Sequence, residues 1–306
     1  MFITVFVTVT VNVSINVHGG EALYRYTLNG FVVLIGGLAL GYSVVRSYRL
    51  NMQRSIILRP RPESAGGVPL MSSFPTPIFI PGLVCTADLF AAQSAGLDHP
   101  VAPVIADTLG RDSLADMAAA ALSRVEGPVV PVGLSMGGYV ALEMARQAPD
   151  RLAGLALLNT AYGTDTPERR QQRLATIDMA KSDRFRGVTR HLMKSFLSPG
   201  AMEDEALVAR VIAMAEAVGR ENFIRQQQAI LNRRDQSDTL RGLAVPALVL
   251  CGSLDTLTPP DISRQMAALA PQAELVILDD VGHLSTMEAP DAVTAHLNRF
   301  LADLGV

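Results

Sequence analysis

The sequence predicts an α/β fold in which a mostly parallel sheet is flanked by helices and interrupted by an inserted helical segment. From residue 75 onward, short apolar runs alternate with helical stretches, which is typical of βαβ units. The runs are rich in β-branched residues and nearly continuous in hydrophobicity, as strands buried on both faces are. Over residues 163–242 the alternation stops, and it resumes after them.

The composition limits the classes of function. The chain has 306 residues, 49% of them hydrophobic and 18% charged, enough to bury the core of one large domain or of one domain with an insertion. A formal net charge of -3 gives no reason to expect a nucleic acid partner. Cys85 and Cys251 are too few for a disulfide framework and lack metal-ligand spacing, so we expect buried thiols and no metal site.

Residues 1–70 differ from the rest and form an N-terminal extension. Residues 1–17 are an uncharged Val/Thr/Phe/Ile run with a partial period of two, which favours a strand. Residues 28–45 are also uncharged and would span about 27 Å as a helix, close to the thickness of a bilayer core. Arginines without acids follow in residues 46–61, a flank that would hold the C-terminal side in the cytoplasm.

Two interpretations of this extension are open. In one, residues 28–45 are a single-pass membrane anchor and the catalytic domain is cytoplasmic. In the other, residues 1–70 come from a misassigned start and the protein begins at Met71. Under both interpretations, residues 71–306 are predicted to be a complete domain that includes the insertion.

The elements of this domain follow in order from apolar runs, caps and prolines. Ser113 is the expected N-cap of the first helix, and Pro260 stands in the first turn of the third. Strands are predicted at residues 77–80, 101–105, 129–134, 152–158, 247–251 and 274–278, and helices at residues 113–125, 137–147, 260–269 and 291–304. Residues 163–242, the cap segment, are helical in pattern, because a structureless loop of that length would be improbable.

The motif Gly133-Leu134-Ser135-Met136-Gly137-Gly138 lies where a buried strand is predicted to end and a helix to begin. This is G-x-S-x-G in the strand-turn-helix context that a nucleophilic serine requires. A serine on so tight a turn has strained backbone angles, and Gly133 and Gly137 remove side chains that would collide there. The turn also directs the N–H of Met136 at a developing oxyanion. We therefore predict Ser135 as the nucleophile.

A serine hydroxyl is a poor nucleophile near neutral pH, so a base and a group that orients the base are needed. His283 directly follows the last predicted strand, at the edge where the carboxyl ends of parallel strands meet. It is the predicted general base. The other histidines are expected to be structural: His18, His99, His191 and His296.

The orienting acid is expected at the end of an earlier strand, in the chain order Ser, acid, His. Asp255, in a G-S-L-D run, has that place. Asp279 and Asp280 are rivals, but carboxylates so close to His283 more naturally shape its turn. Asp261, at a helix start, is interpreted as compensating the helix dipole. Asp255 is therefore the predicted acid.

The second oxyanion donor is predicted in the loop after the first strand of the domain. Gly82 lets this backbone approach the substrate, and the N–H of Leu83 is the candidate donor, paired with that of Met136. The role belongs to the amide, which leaves the side chain of Leu83 free to line a pocket. Cys85, two residues further, is expected to pack in the core.

Together, the P-G loop, G-L-S-M-G-G, G-S-L-D after a strand and V-G-H-L-S-T-M-E-A-P resemble the α/β-hydrolase superfamily over about residues 75–304. Within it the chain looks most like capped bacterial esterases and lactonases around the pimeloyl-carrier-protein methyl esterase and 3-oxoadipate enol-lactonase groups. The resemblance implies that Ser135, Asp255 and His283 form a catalytic triad and that Leu83 and Met136 form the oxyanion hole.

Two departures from the family accompany this likeness. Pro81 stands where many relatives carry histidine before the glycine, and the two leading antiparallel strands of the full fold are not evident. A six-stranded core remains, with the expected order 4-3-5-6-7-8 in the fold's usual numbering. Haloalkane dehalogenases and the related epoxide hydrolases have aspartate as the nucleophile, and the dehalogenases hold halide with tryptophan. This chain has Ser135 at the nucleophile position and no tryptophan, which excludes these branches.

The predicted activity is hydrolysis of a small-molecule carboxylic ester or lactone through an acyl-enzyme, without a metal or organic cofactor. Two alternatives are open: hydrolysis of a thioester or a carbon–carbon bond by the same triad, and a non-catalytic member of the fold that binds a ligand. Apolar residues of the cap segment either line a substrate pocket or pack the cap helices together: Phe185, Met193, Phe196, Met202, Met214 and Phe223.

Overall fold

The structure, a computed structural model, describes residues 2–17, 20–35, 55–57, 74–182 and 193–304. The chain divides into two compact units, Met1–Val68 and Pro69–Val306. All of the sequence-predicted site residues lie in the second unit.

The first unit contains a three-stranded antiparallel sheet of β1 (Phe2–Val17), β2 (Gly20–Ile35) and β3 (Ser55–Ile57), in the order β1-β2-β3. The helix suggested for residues 28–45 is corrected in part. Residues 28–35 belong to β2, because their backbone pairs antiparallel with residues 2–9 of β1. Residues 36–45 lie outside the described residues. Within the described residues, no helix is both long and apolar enough to cross a membrane.

The second unit is built on a six-stranded parallel sheet, as the sequence predicts. The strand order is β5-β4-β6-β7-β8-β9, which is the expected order 4-3-5-6-7-8 in the fold's usual numbering. The strands are β4 (Thr76–Ile80), β5 (Val104–Ile105), β6 (Val129–Leu134), β7 (Leu155–Leu158), β8 (Ala247–Gly252) and β9 (Ala273–Leu278).

Two strands are shorter than predicted. β5 begins at Val104 and not at residue 101, because Pro103 has no N–H to offer a ladder. β7 begins at Leu155 and not at residue 152, and Leu152 makes only an isolated bridge with Val129.

Helices cover both faces of the sheet. Their alternation with the strands is the predicted one, and Ser113 caps its helix by accepting a hydrogen bond from the N–H of Asp116. Within the described residues, the α-helices are α1 (Ala91–Gly96), α2 (Leu114–Ser123), α3 (Met136–Gln147), α4 (Pro167–Lys181), α5 (Glu205–Leu231), α6 (Ser237–Arg241), α7 (Pro260–Leu269), α8 (Ser285–Glu288) and α9 (Pro290–Asp303).

Alternate side chains of each strand enter two separate cores. Ile78 and Ile80 of β4 pack in one core with α2, α3 and α7, while Phe79 packs in the other with Phe90 and α9. This alternation follows from the two-residue period of a strand. Both faces of the sheet are therefore buried, and the carboxyl ends of the strands are left as the edge on which loops can carry polar groups.

The cap segment lies in sequence between β7 and β8. It contains α4, α5, α6 and a short 3-10 helix at Ala201–Glu203. The long helix α5 is interrupted at Gly219, whose φ of 74° is not helical. Glycine tolerates that conformation, which side chains rarely adopt.

Candidate active site

Ser135 lies on a tight turn between β6 and α3. Its φ is 57° and its ψ is -118°, a conformation that is rare for a residue with a side chain. A Cβ at Gly133 would lie 2.1 Å from the carbonyl oxygen of Gly137, and one at Gly137 would lie 1.9 Å from that of Ile80. Both positions therefore require glycine, as the sequence predicts for a strained serine.

Strand β7 and the segment that follows it hold this turn. The N–H of Ser135 donates to the carbonyl of Leu158 at 3.0 Å, and Thr160 Oγ1 donates to the carbonyl of Ser135 at 2.7 Å. Ser135 is half-buried, whereas both of its chain neighbours are fully buried. The serine side chain is therefore the accessible part of a fixed turn.

Asp255 and His283 are joined directly. The distance between His283 Nδ1 and Asp255 Oδ2 is 2.8 Å, and both side chains are buried. Asp255 follows β8 and His283 follows β9, so the pair lies at the carboxyl edge of the sheet. The carboxylate can only accept when ionised, so Nδ1 carries the proton and Nε2 keeps its lone pair.

The Asp255 carboxylate has partners on both oxygens. Oδ1 accepts from the N–H groups of Leu257 and Thr258 at 2.9 and 3.0 Å. Oδ2 also accepts from Thr258 Oγ1 at 2.7 Å and from Asn159 Nδ2 at 2.9 Å. Burial by itself would raise the pKa of Asp255, but the charge and hydrogen bond of His283, with the other donors, lower it to about 2. The acid is therefore ionised at neutral pH.

The loop that carries His283 is held by Glu288. Its Oε2 accepts from the N–H groups of Gly282 and Ser198, each at 2.9 Å, and its Oε1 accepts from the N–H of Leu284 at 3.2 Å. One partly buried carboxylate thus fixes the chain on both sides of the histidine and ties it to the cap segment.

Phe196 of the cap segment also contacts the histidine loop. Its carbonyl accepts from the N–H groups of His283 and Leu284, each at 3.1 Å. The rings of Phe196 and His283 are 6.3 Å apart between centroids. Of the other apolar cap residues, Met193 and Met214 are buried in the core, and Phe185 lies outside the described residues.

The predicted oxyanion loop lies against the serine. A Cβ at Gly82 would be 3.3 Å from Ser135 Cβ, which shows how closely this loop approaches the turn. Within the described residues, neither the N–H of Leu83 nor that of Met136 donates a hydrogen bond. Two backbone donors are thus available beside Ser135.

The structure brings the predicted residues together to different degrees. Asp255 and His283 share a hydrogen bond. Ser135 is linked to this pair only indirectly, through the end of β7. The carbonyl of Leu158 accepts from the N–H of Ser135, and the next residue, Asn159, donates to Asp255. Among the described residues, Ser135 Oγ makes no hydrogen bond. Bonds between nucleophile and base are often loose without substrate.

The rival carboxylates have other positions. Asp279 and Asp280 are exposed, and Asp280 has a φ of 59° and an N–H bonded to Ser253 Oγ at 2.9 Å, as expected of a residue that shapes the turn. Asp261 stands in the first turn of α7 and pairs with Arg264 at 2.8 Å. Asp255 is therefore the only one of these acids bonded to His283.

The remaining candidates offer no second centre in the described chain. His99 binds the backbone of Val101 and His296 is partly buried in the last helix, while His18 and His191 lie outside the described residues. Burial raises the pKa of Cys85 to about 12, and burial together with Asp255 raises that of Cys251 to about 12, so neither is a ready thiolate. In the described part of the chain, no three potential ligands are grouped for a metal ion.

Sequence reasoning missed the residues that support the site: Asn159, Thr160, Thr258 and Glu288. Asn159 was within reach, because a polar residue directly after a buried strand lies at the same edge as the serine and the acid. The link from Glu288 to the cap segment could not be predicted in this way, because its partner Ser198 lies 90 residues away in sequence.

The comparisons with known proteins agree with the predicted resemblance. A family model described as the alpha/beta hydrolase family matches residues 78–296. The chain is 29% identical over 183 residues to the pimeloyl-(acyl-carrier protein) methyl ester esterase of Xanthomonas oryzae pv. oryzae, with 58% of this chain and 72% of that protein covered.

Solved structures give the same fold. A thermophilic esterase from Thermogutta terrifontis is 26% identical with a TM-score of 0.67, covering 76% of this chain and 92% of that chain. The enol-lactonase from Burkholderia xenovorans LB400 is 24% identical with a TM-score of 0.67 and the same coverage of 76% and 92%. The predicted fold class is thereby confirmed.

Proposed function

Because this chain belongs to the alpha/beta hydrolase family, we propose that it is a serine hydrolase that cleaves a small-molecule carboxylic ester or lactone through an acyl-enzyme. The observation that carries the proposal is the buried 2.8 Å hydrogen bond between Asp255 and His283, at the sheet edge that also bears the strained Ser135. Relatives named as esterases, at 29% and 26% identity, support the same bond type.

In the proposed mechanism, Ser135 Oγ attacks the ester carbonyl and His283 Nε2 takes the hydroxyl proton. The ionised Asp255 stabilises the imidazolium and fixes its orientation. The N–H groups of Leu83 and Met136 donate to the oxyanion of the tetrahedral intermediate. The carbon–oxygen bond then breaks, and His283 returns the proton to the leaving alcohol.

A water molecule completes the cycle. His283 removes a proton from the water as it attacks the acyl carbon, a second tetrahedral intermediate forms, and its collapse releases the carboxylic acid while Ser135 Oγ recovers the proton. No metal or organic cofactor enters any of these steps. Leu83 belongs to the loop beside Ser135, and the ring of Phe196 lies 6.3 Å from that of His283. Both side chains are only partly buried and would contact the acyl or alcohol group.

The test compares the full chain with Ser135→Ala, using p-nitrophenyl acetate, butyrate and octanoate and a fluorophosphonate label. Ser123→Ala, an exposed serine of α2, is the matched control. We expect turnover and labelling in the full chain and the control, and loss of both in Ser135→Ala.

Other outcomes separate the alternatives. Labelling without ester turnover would indicate a reactive serine whose substrate bond is a thioester or a carbon–carbon bond. An acyl thioester and a vinylogous diketone would then be assayed as substrates. Absence of labelling and turnover in folded protein would contradict the proposal and favour a member of the fold that only binds a ligand.

A further inference from the structure

The loop beside Ser135 contains a strained turn. The N–H of Cys85 donates to the carbonyl of Gly82 at 3.2 Å, which closes a reverse turn over residues 82–85. Its third residue, Val84, has a φ of 55°. That position normally takes glycine or asparagine, and a β-branched side chain is a clear exception there. Something outside the turn must therefore hold it.

Both ends of the peptide bond between Leu83 and Val84 are held by side chains. The carbonyl of Leu83 accepts from Cys85 Sγ at 3.3 Å. The N–H of Val84 donates to Gln226 Oε1 at 3.0 Å, across 142 residues of sequence. Rotation of this peptide, the movement that would relieve the strain at Val84, would break both bonds.

Gln226 is itself fixed. Its side chain is fully buried, and its Nε2 donates to Thr108 Oγ1 at 3.3 Å. One turn earlier in α5, Asn222 Oδ1 accepts from the N–H of Gly110 at 2.9 Å. The second half of α5 is thus bonded to the loops that follow both β4 and β5.

We propose that Gln226 is a positioning residue that holds the oxyanion loop in its active form from within the cap segment. The inference rests on the proposed function, because it gives the N–H of Leu83 the oxyanion role. That N–H belongs to the same strained turn, next to Gly82, which lies against Ser135. Without the bond from Gln226, the turn can relax, and the Leu83 donor is no longer aligned when the oxyanion forms.

The test is Gln226→Met, which keeps the length of the side chain and removes its amide. Gln227→Met is the matched control, because Gln227 is also buried in α5 but binds Arg173. We measure kcat and KM for the best p-nitrophenyl ester, the inhibition constant of an aryl trifluoromethyl ketone, which forms an oxyanion on the serine, and the thermal midpoint.

For Gln226→Met we expect kcat to fall on the order of tenfold to a hundredfold with KM within threefold, and trifluoromethyl ketone binding to weaken by a similar factor. For Gln227→Met we expect kcat within twofold. A purely structural role would lower the thermal midpoint and leave kcat of the folded enzyme unchanged. A folded Gln226→Met with kcat within twofold of the wild-type value therefore overturns the inference.

Gln226→Asn keeps the inference testable if the methionine variant does not fold. Asparagine keeps the polar amide, but its side chain is one methylene shorter and does not reach the N–H of Val84, which lies 3.0 Å from Gln226 Oε1. We expect the same fall in kcat on the order of tenfold to a hundredfold, and a folded Gln226→Asn with kcat within twofold of the wild-type value overturns the inference. Wild-type protein without turnover or labelling would instead reject the proposed function.

Discussion

Asn159 Nδ2 donates to Asp255 Oδ2 at 2.9 Å, so the residue that follows β7 holds the carboxylate that follows β8. The same Nδ2 donates to the carbonyl of Gly282 at 3.1 Å, directly before His283. Asn159 has a φ of 44°, which asparagine tolerates better than most residues. One side chain thus links Asp255 and the loop that carries His283, from the end of the strand beside that of Ser135.

Asn159→Gly separates the side chain of this residue from its backbone conformation. Glycine accepts the positive φ and removes both hydrogen bonds, so we expect kcat to fall about tenfold with a modest loss of stability. Asn159→Ala loses the same bonds and is also strained, which should cost roughly 1 kcal/mol more in the free energy of unfolding. Ester kinetics and urea unfolding of both variants provide the measurement. Wild-type kcat in Asn159→Gly would show that the amide does not support the acid.

Asp255→Asn should remove the acid while keeping its shape. The amide can offer Nδ2 to His283 and so favour the wrong tautomer, and kcat should fall on the order of a thousandfold or more. Asp279→Asn and Asp280→Asn are matched controls on exposed carboxylates near the same histidine, and each should keep kcat within twofold. A large fall in kcat in either control, with Asp255→Asn still active, would assign the orientation of His283 to that other carboxylate.

The depressed pKa of Asp255 predicts a particular loss of stability in acid. The pKa is lowered from 3.8 to about 2 in the folded protein, so the carboxylate stabilises the fold above pH 3.8 and this contribution disappears as pH falls through 2. The difference corresponds to about 2 kcal/mol. Urea unfolding between pH 5.5 and pH 2 should therefore show a steeper decline for the wild-type protein than for Asp255→Asn. Parallel curves would contradict the assignment.

Glu288→Gln tests the carboxylate that holds the histidine loop. The amide keeps one acceptor oxygen but turns an NH2 group toward backbone N–H donors. We expect a loss of about 1–3 kcal/mol in the free energy of unfolding and a fall in kcat of roughly tenfold through displacement of His283. Asp291→Asn, an exposed acid in the first turn of α9, is the control. Unchanged kcat in folded Glu288→Gln would mean that Glu288 contributes to stability and not to the position of His283.

Asp165 anchors the cap segment, and its removal should affect stability more than catalysis. Its carboxylate pairs with Arg173 at 2.8 Å and with Arg233 at 2.9 Å, all three side chains being largely buried. Asp165→Asn leaves two buried guanidinium groups without their anion, at a cost of about 3 kcal/mol. None of these residues touches the candidate site, so kcat of the folded enzyme should stay within threefold.

The control for this change is Asp238→Asn, which breaks the pair with Arg241, also 2.8 Å long but exposed on both sides. Exposed pairs contribute little because water screens them. We expect its unfolding midpoint to match that of the wild-type protein. Equal destabilisation by both substitutions would mean that burial of the Asp165 pairs is not what makes them important.

The sequence alone predicted the parallel sheet, because each buried strand is marked by local composition. The strand order was predicted from the resemblance to the α/β-hydrolase superfamily. Ser135, Asp255 and His283 were each found because they follow a strand, and the carboxyl ends of parallel strands share one edge. The start of β7 was placed too early, because hydrophobicity at Leu152 does not reveal that its backbone makes only a single bridge.

Local pattern therefore determined the fold class, the strained position of Ser135 and the choice of candidate base and acid. Only the tertiary structure decided which groups hold them: Asn159 on Asp255, Glu288 around His283 and Gln226 on the turn beside Ser135. The bonds of Asn159 and Gln226 join partners 96 and 142 positions apart, and Glu288 also accepts from Ser198, 90 positions away. Hydrogen bonding requires a distance near 3 Å and a defined angle, and for partners far apart in sequence only the packing of helices and strands sets these quantities.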